Sequence, residues 1–337
     1  MELNPTKLSG AVVDKDKIYK VIILGSGPAG LSAALYAARA DLNPLVLTGM
    51  ELGGQVSLTY TVENYPGFIE GVGGTELIEL FQKQAERFGA RIEYDTATAV
   101  DLSQRPFRVS TYQTDYWADS LIIATGATPI HLGIPGESEL TGRGVSYCAT
   151  CDGWFFKDKK VFVVGGGDSA VEEALFLTRY ANTVTIVHRR DTLRAGQVLQ
   201  NRAFTNPKIQ FIWNAVPIKI SGEEAVKAIH LKNVNTGEEN EMPADGVFIF
   251  IGHRPNTQLF TGQLEIDELG YLKTDMLMQT CVPGVFVAGE AGDPTYRQVV
   301  TSAGMGAAAA IQATRFLEEH PINEIQSNNV GGGINEA

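Results

Sequence analysis

Two apolar runs in the chain each lead into a glycine-rich turn and then into a helical pattern. The first covers residues 20–30, with the sequence Lys-Val-Ile-Ile-Leu-Gly-Ser-Gly-Pro-Ala-Gly, and small residues continue it from Leu31 to about Ala40. The second covers residues 161–170, with the sequence Val-Phe-Val-Val-Gly-Gly-Gly-Asp-Ser-Ala. A short apolar run bounded by turn residues is typical of a buried strand, so each stretch predicts a strand, a tight turn and a helix.

The same patterns predict the remaining elements. Apolar residues at helical spacing indicate a helix from about Gly74 to Phe88, and small residues indicate another from about Thr301 to Leu317. Apolar runs predict strands at Pro44–Leu47, Arg91–Tyr94, Phe107–Thr111, Asp119–Ala124, Thr183–Val187, from Tyr271 onwards and at Val285–Ala288. We expect the polar segments 1–17 and 321–337 to be flexible.

Two similar segments mark where the chain changes domain. The strand that enters Thr125-Gly126-Ala127 has a counterpart in residues 247–255, Val-Phe-Ile-Phe-Ile-Gly-His-Arg-Pro. We interpret them as the points where the chain leaves one nucleotide-binding domain and later returns. The predicted fold is therefore α/β, with two Rossmann-like, three-layer ββα dinucleotide-binding domains, the second inserted into the first. The first would comprise residues 18–129 and 257–320, and the second residues 130–256.

The glycines of the first turn have separate functions in a dinucleotide site. Gly25 would make the tight turn, Gly27 would let the backbone approach a pyrophosphate, and Gly30 would let the helix pack closely on the strand. The helix N-terminus would then favour the phosphate charge. Glycine loops also occur as plain structural turns, but two of them in strand–turn–helix context predict two bound nucleotides.

Cys148 and Cys151 form a CxxC motif that is followed at once by Asp152. The chain has three cysteines in 337 residues, so two in one motif indicate a redox dithiol with its own proton donor. A zinc site needs four ligands, and no second CxxC or CxxH exists, so we predict no metal. The third cysteine, Cys281, is expected to be a buried small apolar residue.

Composition narrows the class of protein. A length of 337 residues with 44% hydrophobic content suffices for two domains, and a net charge of −12 argues against nucleic acid or an anionic membrane as partner. No apolar run approaches about 18 residues, so no transmembrane helix is predicted. The absence of a secretion signal and the use of cysteine in one motif favour the cytoplasm.

The chain resembles the low-molecular-weight, bacterial-type thioredoxin reductases, a branch of the flavin disulfide reductases, in eight motifs that follow one another in the family's order. The resemblance covers residues 19–317, and the motifs are GSGPAG, TGMELGGQ, ENYPG, ATGATP, CATCDG, GGGDSAVEEA, HRRDTLRA and YRQVVTSAGMG. It implies a homodimer that binds FAD in the discontinuous domain and NADPH in the inserted one. It also implies that the protein reduces the disulfide of thioredoxin or of a thioredoxin-like dithiol protein.

The resemblance assigns different tasks to the residues of the CxxC motif. Cys151 would be the sulfur next to the flavin, and Cys148 the thiol that attacks the partner disulfide. Asp152 would be the acid/base that protonates the leaving thiolate, although it could at the same time be a helix N-cap. A helix that starts after the motif would lower the pKa of the thiols.

FAD is expected from the resemblance and because a nicotinamide needs an intermediary to reduce a disulfide. The candidate contacts are Gly25, Ser26, Gly27, Pro28, Ala29, Gly30, Thr48, Gly53, Gly54, Gln55, Asn64, Gly289, Glu290, Arg297 and Gln298. Thr48 ends the strand where the usual fingerprint has an acid for the ribose. Glu290 stands where the family usually has Asp, and could alternatively be only a turn residue.

NADPH rather than NADH is expected at the second turn. Arginines follow the strand Thr183–Val187, where an acid would accept the ribose hydroxyls of NADH, and they offer charge-assisted contacts to a 2′-phosphate. The candidate contacts are Gly165, Gly167, Asp168, Ser169, Ala170, His188, Arg189, Arg190 and Arg194. The arginines could alternatively form a solvated face at the start of a helix.

The dithiol and the NADPH site are predicted in the same inserted domain, yet both must reach one flavin. We therefore expect two alternating domain orientations, with hinges near Thr128–Pro129 and Arg254–Asn256. Three other functions are the alternatives: a flavin disulfide reductase that takes electrons from ferredoxin or another donor, a non-catalytic flavoprotein that signals redox state, and a flavin NADPH oxidase without disulfide activity.

Overall fold

The computed structural model describes residues 18–59 and 61–321, which fall into two compact units. The first unit comprises residues up to 57, then 73–127 and from 255 onwards, and the second comprises 58–72 and 128–254. The segment 58–72, predicted in the first domain, belongs to the second unit, where Val62 and Val72 pair through backbone hydrogen bonds. The predicted flexible segments 1–17 and 321–337 lie outside the described residues, apart from Pro321.

The described residues form the following regular elements. The helices are α1 Pro28–Arg39, α2 Gly74–Arg87, α3 Ala149–Asp152, α4 Asp168–Leu177, α5 Gln197–Thr205 and α6 Val299–Glu319. The strands are β1 Ile18–Leu24, β2 Leu45–Leu47, β3 Arg91–Glu93, β4 Ala97–Asp101, β5 Phe107–Thr111, β6 Asp115–Ile123, β7 Ala127–Pro129, β8 Val145–Ser146, β9 Lys160–Val164, β10 Thr183–Val187, β11 Ile209–Ile212, β12 Ala215–Gly222, β13 Val226–Asn233, β14 Glu239–Pro243, β15 Gly246–Ile249, β16 His253–Pro255 and β17 Val285–Val287.

The first unit is built on a seven-stranded sheet with the order β3-β2-β1-β6-β5-β4, in which β17 also pairs with β6. Strand β6 pairs in parallel with β1 along most of its length. On its other side it pairs first with β5, antiparallel, and then with β17, in parallel. One strand therefore joins the antiparallel part of the sheet to the parallel part that ends in the first glycine turn.

The second unit has a five-stranded parallel sheet with the order β11-β10-β9-β15-β8, and a separate antiparallel sheet with the order β12-β13-β14. The strands β9, β10 and β15 are apolar along almost their whole length, as expected for parallel strands with both faces covered. The strands at the two unit boundaries, β7 and β16, pair with each other.

Some sequence expectations differ from the structure. The run from Tyr271 forms only an isolated bridge between Ile266 and Leu272, because the chain turns again immediately. Cys281 is exposed rather than buried, since it lies in the turn just before β17. The strand β4 and the antiparallel sheet of the second unit were not predicted, because polar or exposed residues interrupt them and leave no continuous apolar run. Within the described residues no helix is long and apolar enough to cross a membrane.

Helices α1 and α6 pack closely because small residues line their contact. Alanines of both helices, among them Ala33, Ala37 and Ala309, are fully buried in one core with the apolar side chains of β1. At Gly306 the helix α6 approaches the carbonyl group of Ala29 so closely that an added Cβ would overlap it. The start of α1 is therefore held by backbone contact as well as by side-chain packing.

We expect Gly306→Ala to destabilise the first unit by about 1–3 kcal/mol, because the added methyl group forces α6 away from Ala29. Gly304→Ala in the same helix is the matched control, since a Cβ there meets open space and alanine favours the helix. Urea unfolding of both variants measures the difference. Equal stability of the two variants would contradict close helix packing at Gly306.

Candidate active site

Cys148 and Cys151 form a disulfide with a Cα–Cα distance of 5.3 Å. Helix α3 begins at Ala149, inside the motif and not after it, because Cys148 is the N-cap. The Sγ atom of Cys148 accepts a hydrogen bond from the backbone N–H of Cys151 at 3.2 Å. Donors directed at this sulfur favour its thiolate form once the disulfide is reduced.

Asp152 is positioned beside the dithiol by a second side chain. Burial raises the pKa of Asp152, and a hydrogen bond to Ser146 partly opposes this rise. The distance between the Asp152 Oδ2 and Ser146 Oγ atoms is 2.6 Å. Asp152 is the N-cap residue of the 3₁₀ helix Gly153–Phe156, but its carboxylate makes no capping hydrogen bond to that helix. A carboxyl group with a raised pKa next to a dithiol can store and release a proton.

The first glycine turn connects β1 to α1 with very little free space. Gly25 has a φ of 109°, and a side chain there would overlap the carbonyl oxygen of Ala124. A side chain at Gly30 would overlap the carbonyl oxygen of Gly25. Gly27 is the extended N-cap of α1, with Pro28 at the first position and no capping side chain. No side chain therefore caps the N–H groups of the first helical turn, and they can bind an anion such as a pyrophosphate.

Ser26 connects this turn to the loop after β2. Its buried hydroxyl donates to the carbonyl oxygen of Thr48 at 3.1 Å and accepts from the N–H of Gly53 at 3.1 Å. The Thr48 hydroxyl lies 3.0 Å from the carbonyl oxygen of Gly49. Ser26, Thr48 and Gly53 are therefore brought together by hydrogen bonds of the Ser26 hydroxyl. The neighbouring Gly54 has a φ of 57° and starts the 3₁₀ helix that contains Gln55.

Residues 289–298 form the other side of the first unit's candidate site. A side chain at Gly289 would come within 2.9 Å of the Ala29 Cβ, so this turn lies against the start of α1. Gln298 is the N-cap of α6 and forms a capping box with Thr301, so the Gln298 side chain helps to hold the start of this helix. Asn64, in contrast, lies in the segment 58–72 of the second unit.

Glu290 is a largely enclosed acid in this turn. Burial raises the pKa of Glu290 to about 7; the charge of Arg297 acts to lower it, and that of Asp293 acts to raise it further. Arg297 has a φ of 49°, and its N–H donates to the Asp293 carboxylate at 3.2 Å. Glu290 therefore belongs to a small charged cluster with Asp293 and Arg297.

The second glycine turn repeats the geometry of the first. Gly165 has a φ of 149°, and a side chain there would overlap the carbonyl oxygen of Phe250. Gly167 is the extended N-cap of α4 without a capping side chain, and Ala170 packs beneath Gly165. Ser169 is exposed, and Asp168 accepts the N–H of Gly196 through its carboxylate at 2.7 Å.

Three exposed arginines follow the strand next to this turn. The backbone N–H of Arg194 donates to the carbonyl oxygen of Gly166 at 2.7 Å, and its guanidinium lies near Gly167. Arg189 and Arg190 follow the buried ring of His188, which fills the space beside Gly166. Burial, then Arg194, Arg190 and Arg189, lower the pKa of His188, so the ring stays neutral while the arginines carry the charge.

A family model for pyridine nucleotide-disulphide oxidoreductases matches residues 19–306 of the chain. The thioredoxin reductase of Streptomyces coelicolor is 51% identical over 303 residues, which are 89% of this chain and 94% of that protein. The chain belongs to the thioredoxin reductase family. The matched residues 19–306 include both glycine turns and the Cys148–Cys151 disulfide.

Solved thioredoxin reductases match the chain over almost its full length. The crystal structure from Streptococcus pyogenes matches with a TM-score of 0.87 and 42% identity, and covers 91% of this chain and 100% of that one. The structure from Lactococcus lactis, described as its FR conformation, matches with a TM-score of 0.61 and 43% identity, and covers 90% of this chain and 100% of that one. The α/β fold expected from the sequence is confirmed.

The thioredoxin reductase family uses FAD and NADPH. The residues present fit these groups, because a side chain at the first glycine of either turn would overlap the neighbouring backbone, so only glycine backbone fits there. Their helix N-termini carry no capping side chain that would compete with a phosphate. The assignment of individual contact residues stays a prediction.

Two features of this site give little or no signal in the sequence. Ser146, beside Asp152, gives no sequence signal apart from its closeness to the motif. Glu137 is buried and accepts hydrogen bonds from the backbone N–H groups of residues 132–134 and from the Tyr147 hydroxyl. Burial acts to raise the pKa of Glu137, but these bonds together lower it. Because Tyr147 directly precedes Cys148, this carboxylate anchors the approach to the dithiol.

Glu290 should make the flavin-free protein less stable as pH rises through neutrality. Its pKa in the folded chain is about 7 against an ordinary value of 4.5, so the folded state binds more protons between these values. The free energy of unfolding should therefore fall by up to about 3 kcal/mol from pH 5 to pH 8.

Urea unfolding at several pH values measures this slope, and Glu290→Gln should flatten it. Glu268→Gln, a change at an exposed glutamate of the same unit, is the control and should keep the wild-type slope. A slope that survives in Glu290→Gln would show that another group titrates.

Proposed function

We propose that the chain reduces the disulfide of thioredoxin, or of a thioredoxin-like dithiol protein, with electrons from NADPH. The observation that carries the proposal is the Cys148–Cys151 disulfide with Asp152 beside it, in a chain about half identical to named thioredoxin reductases. The overall reaction consumes NADPH, one proton and a protein disulfide, and yields NADP⁺ and a protein dithiol.

The dithiol form reacts with the partner by thiol–disulfide exchange. The Cys148 thiolate attacks one partner sulfur, so a Cys148–partner bond forms and the partner disulfide breaks. The departing sulfur takes the proton of Asp152. The Cys151 thiol then gives its proton to Asp152 and attacks Cys148, which re-forms the disulfide and releases the second partner sulfur. That sulfur takes the proton from Asp152, so two electrons and two protons reach the partner.

Each cofactor has a proposed place in this reaction. FAD, held at Gly25–Gly30 and the turn of Gly289 and Glu290, would supply a ring that accepts a hydride and passes electrons to sulfur. The backbone N–H groups at Gly27 would bind its pyrophosphate. Arg189, Arg190 and Arg194 would bind the 2′-phosphate of NADPH at the second turn, through charge-assisted hydrogen bonds.

We further infer that the two units alternate between orientations, so that dithiol and nicotinamide reach the flavin in turn. Two solved relatives of nearly equal identity to the chain match it with TM-scores of 0.87 and 0.61, and the second is described as one named conformation. This difference supports more than one arrangement within the family. A cofactor-bound structure with Cys151 and the nicotinamide both at the flavin would contradict the alternation.

Three further parts of the proposal rest on the family resemblance and on the sequence. They are a homodimeric state, a cytoplasmic location, and a partner that is neither nucleic acid nor membrane. A ferredoxin-dependent reductase is the rival, and the arginines beside the second turn argue against it because that donor has no 2′-phosphate.

The double variant Arg189→Ala/Arg190→Ala should raise the KM for NADPH at least tenfold and leave that for NADH almost unchanged. Each charge-assisted hydrogen bond contributes about 1.5–3 kcal/mol, and only NADPH carries the 2′-phosphate. Steady-state rates of thioredoxin reduction at varied concentrations of each nucleotide measure the two KM values. Arg179→Ala, an exposed arginine packed on Phe176, is the control. Equal losses with both nucleotides would contradict the assignment.

Cys148→Ser should retain flavin reduction by NADPH and lose thioredoxin reduction by a factor of about 10³ or more, because the attacking thiol is gone. The measurement compares flavin bleaching with the appearance of thioredoxin thiols in the same preparation. Full thioredoxin reduction by this variant would exclude the dithiol route.

A further inference from the structure

Ser146 is a strand residue with three polar contacts around one hydroxyl group. It ends β8, is 4% exposed, and its Oγ accepts the backbone N–H of Cys148 at 3.1 Å. The same oxygen lies 2.6 Å from the Asp152 Oδ2 atom and 3.2 Å from the carbonyl oxygen of Cys148. The hydroxyl therefore contacts both the acid and the backbone of the attacking cysteine.

A serine hydroxyl has one hydrogen, so it can donate to only one of these two acceptors at a time. When Asp152 is ionised, the hydroxyl donates to its carboxylate in a short, charge-assisted bond. When Asp152 is protonated, the acid donates to Ser146 and the serine hydrogen turns to the Cys148 carbonyl oxygen. In both states the Ser146 oxygen still accepts the N–H of Cys148.

We propose that Ser146 is a positioning residue that holds Asp152 beside the dithiol and couples its proton to the backbone of Cys148. The proposal deepens the function proposed above and rests on the acid/base role of Asp152. When Asp152 gives its proton to the departing partner sulfur, the serine hydrogen turns from Cys148 to the new carboxylate. The bond stabilises the carboxylate as it forms, and no further group has to move.

The surroundings of Asp152 leave this task to Ser146. Helix α4 packs against α3 and carries the carboxylates Asp168, Glu172 and Glu173, and none of them alters the pKa of Asp152. The 3₁₀ helix Gly153–Phe156, which also packs against α3, carries no titratable side chain. Within the described chain, burial raises the pKa of Asp152 and the Ser146 hydrogen bond is the interaction that opposes it.

The test is the pH dependence of the exchange between the reduced holoprotein and thioredoxin disulfide in a single turnover. In Ser146→Ala the midpoint assigned to Asp152 should rise by about one pH unit, because the bond to the carboxylate is lost. Ser146→Thr keeps the hydroxyl and should restore the wild-type midpoint. An unchanged midpoint in Ser146→Ala would overturn the proposal.

Ser120→Ala is the matched control for the loss of a buried strand hydroxyl. Ser120 is fully buried in the first unit, and its hydroxyl donates to the carbonyl oxygen of Gly284 at 2.8 Å. This variant should lose comparable stability but keep the midpoint. If Ser146→Ala does not fold, Ser146→Cys replaces it. Its weaker donor should move the midpoint in the same direction, and an unchanged midpoint there overturns the proposal equally.

A measurement that needs no turnover separates this proposal from the proposed function. Equilibration of the Cys148–Cys151 pair with glutathione at several pH values measures how the reduction potential of the pair depends on pH. The slope of that dependence should change, with a break, at the pH where Asp152 titrates. Asp152→Asn should remove that break; if it does not, the acid/base role itself fails. If Asp152→Asn removes the break and Ser146→Ala leaves it in place, the role of Ser146 alone is excluded.

Discussion

Close backbone packing at the two glycine turns is the constraint on which the rest of the structure depends. In each unit one strand pairs with the strand that leads into the glycine turn: β6 pairs with β1, and β15 pairs with β9. The residue just after that neighbouring strand, Ala124 or Phe250, presents its carbonyl oxygen to a turn that has no room for a side chain. Each turn then starts a helix whose first N–H groups have no capping partner. Strands β6 and β15 continue at once into β7 and β16, so the nucleotide cradles and the crossovers are built on shared backbone.

Electrostatics separates the tasks of the two cradles, although their backbones are alike. The second is rimmed by exposed arginines, and the buried His188 beside them stays neutral because burial and those charges lower its pKa. The first contains Glu290, whose pKa burial raises to about 7 although the charge of Arg297 acts to lower it. An acid that is partly protonated at neutral pH can donate a hydrogen bond to a neutral ligand group, whereas fixed cations suit a phosphate.

Polar contacts of residues before and after the CxxC motif in the sequence hold the dithiol segment in place. Ser146 and Tyr147 precede Cys148, and each is bound to a carboxylate, Asp152 in one case and the buried Glu137 in the other. Burial raises the pKa of the first carboxylate, whereas backbone N–H groups and the Tyr147 hydroxyl lower that of the second. One side of the motif is thus equipped for proton transfer and the other for rigidity.

The sequence alone determined the elements whose signals are local: both strand–glycine–helix turns, β5 and β10 to the residue, the CxxC motif and the arginine cluster. Only the tertiary structure decided how distant groups meet. The bond between Ser146 and Asp152 exists because α3 turns the chain back on β8, and Gly306 is required because another helix approaches it. Exposure of Cys281 and the place of residues 58–72 were likewise decided by tertiary packing, because burial depends on neighbours that periodicity does not reveal.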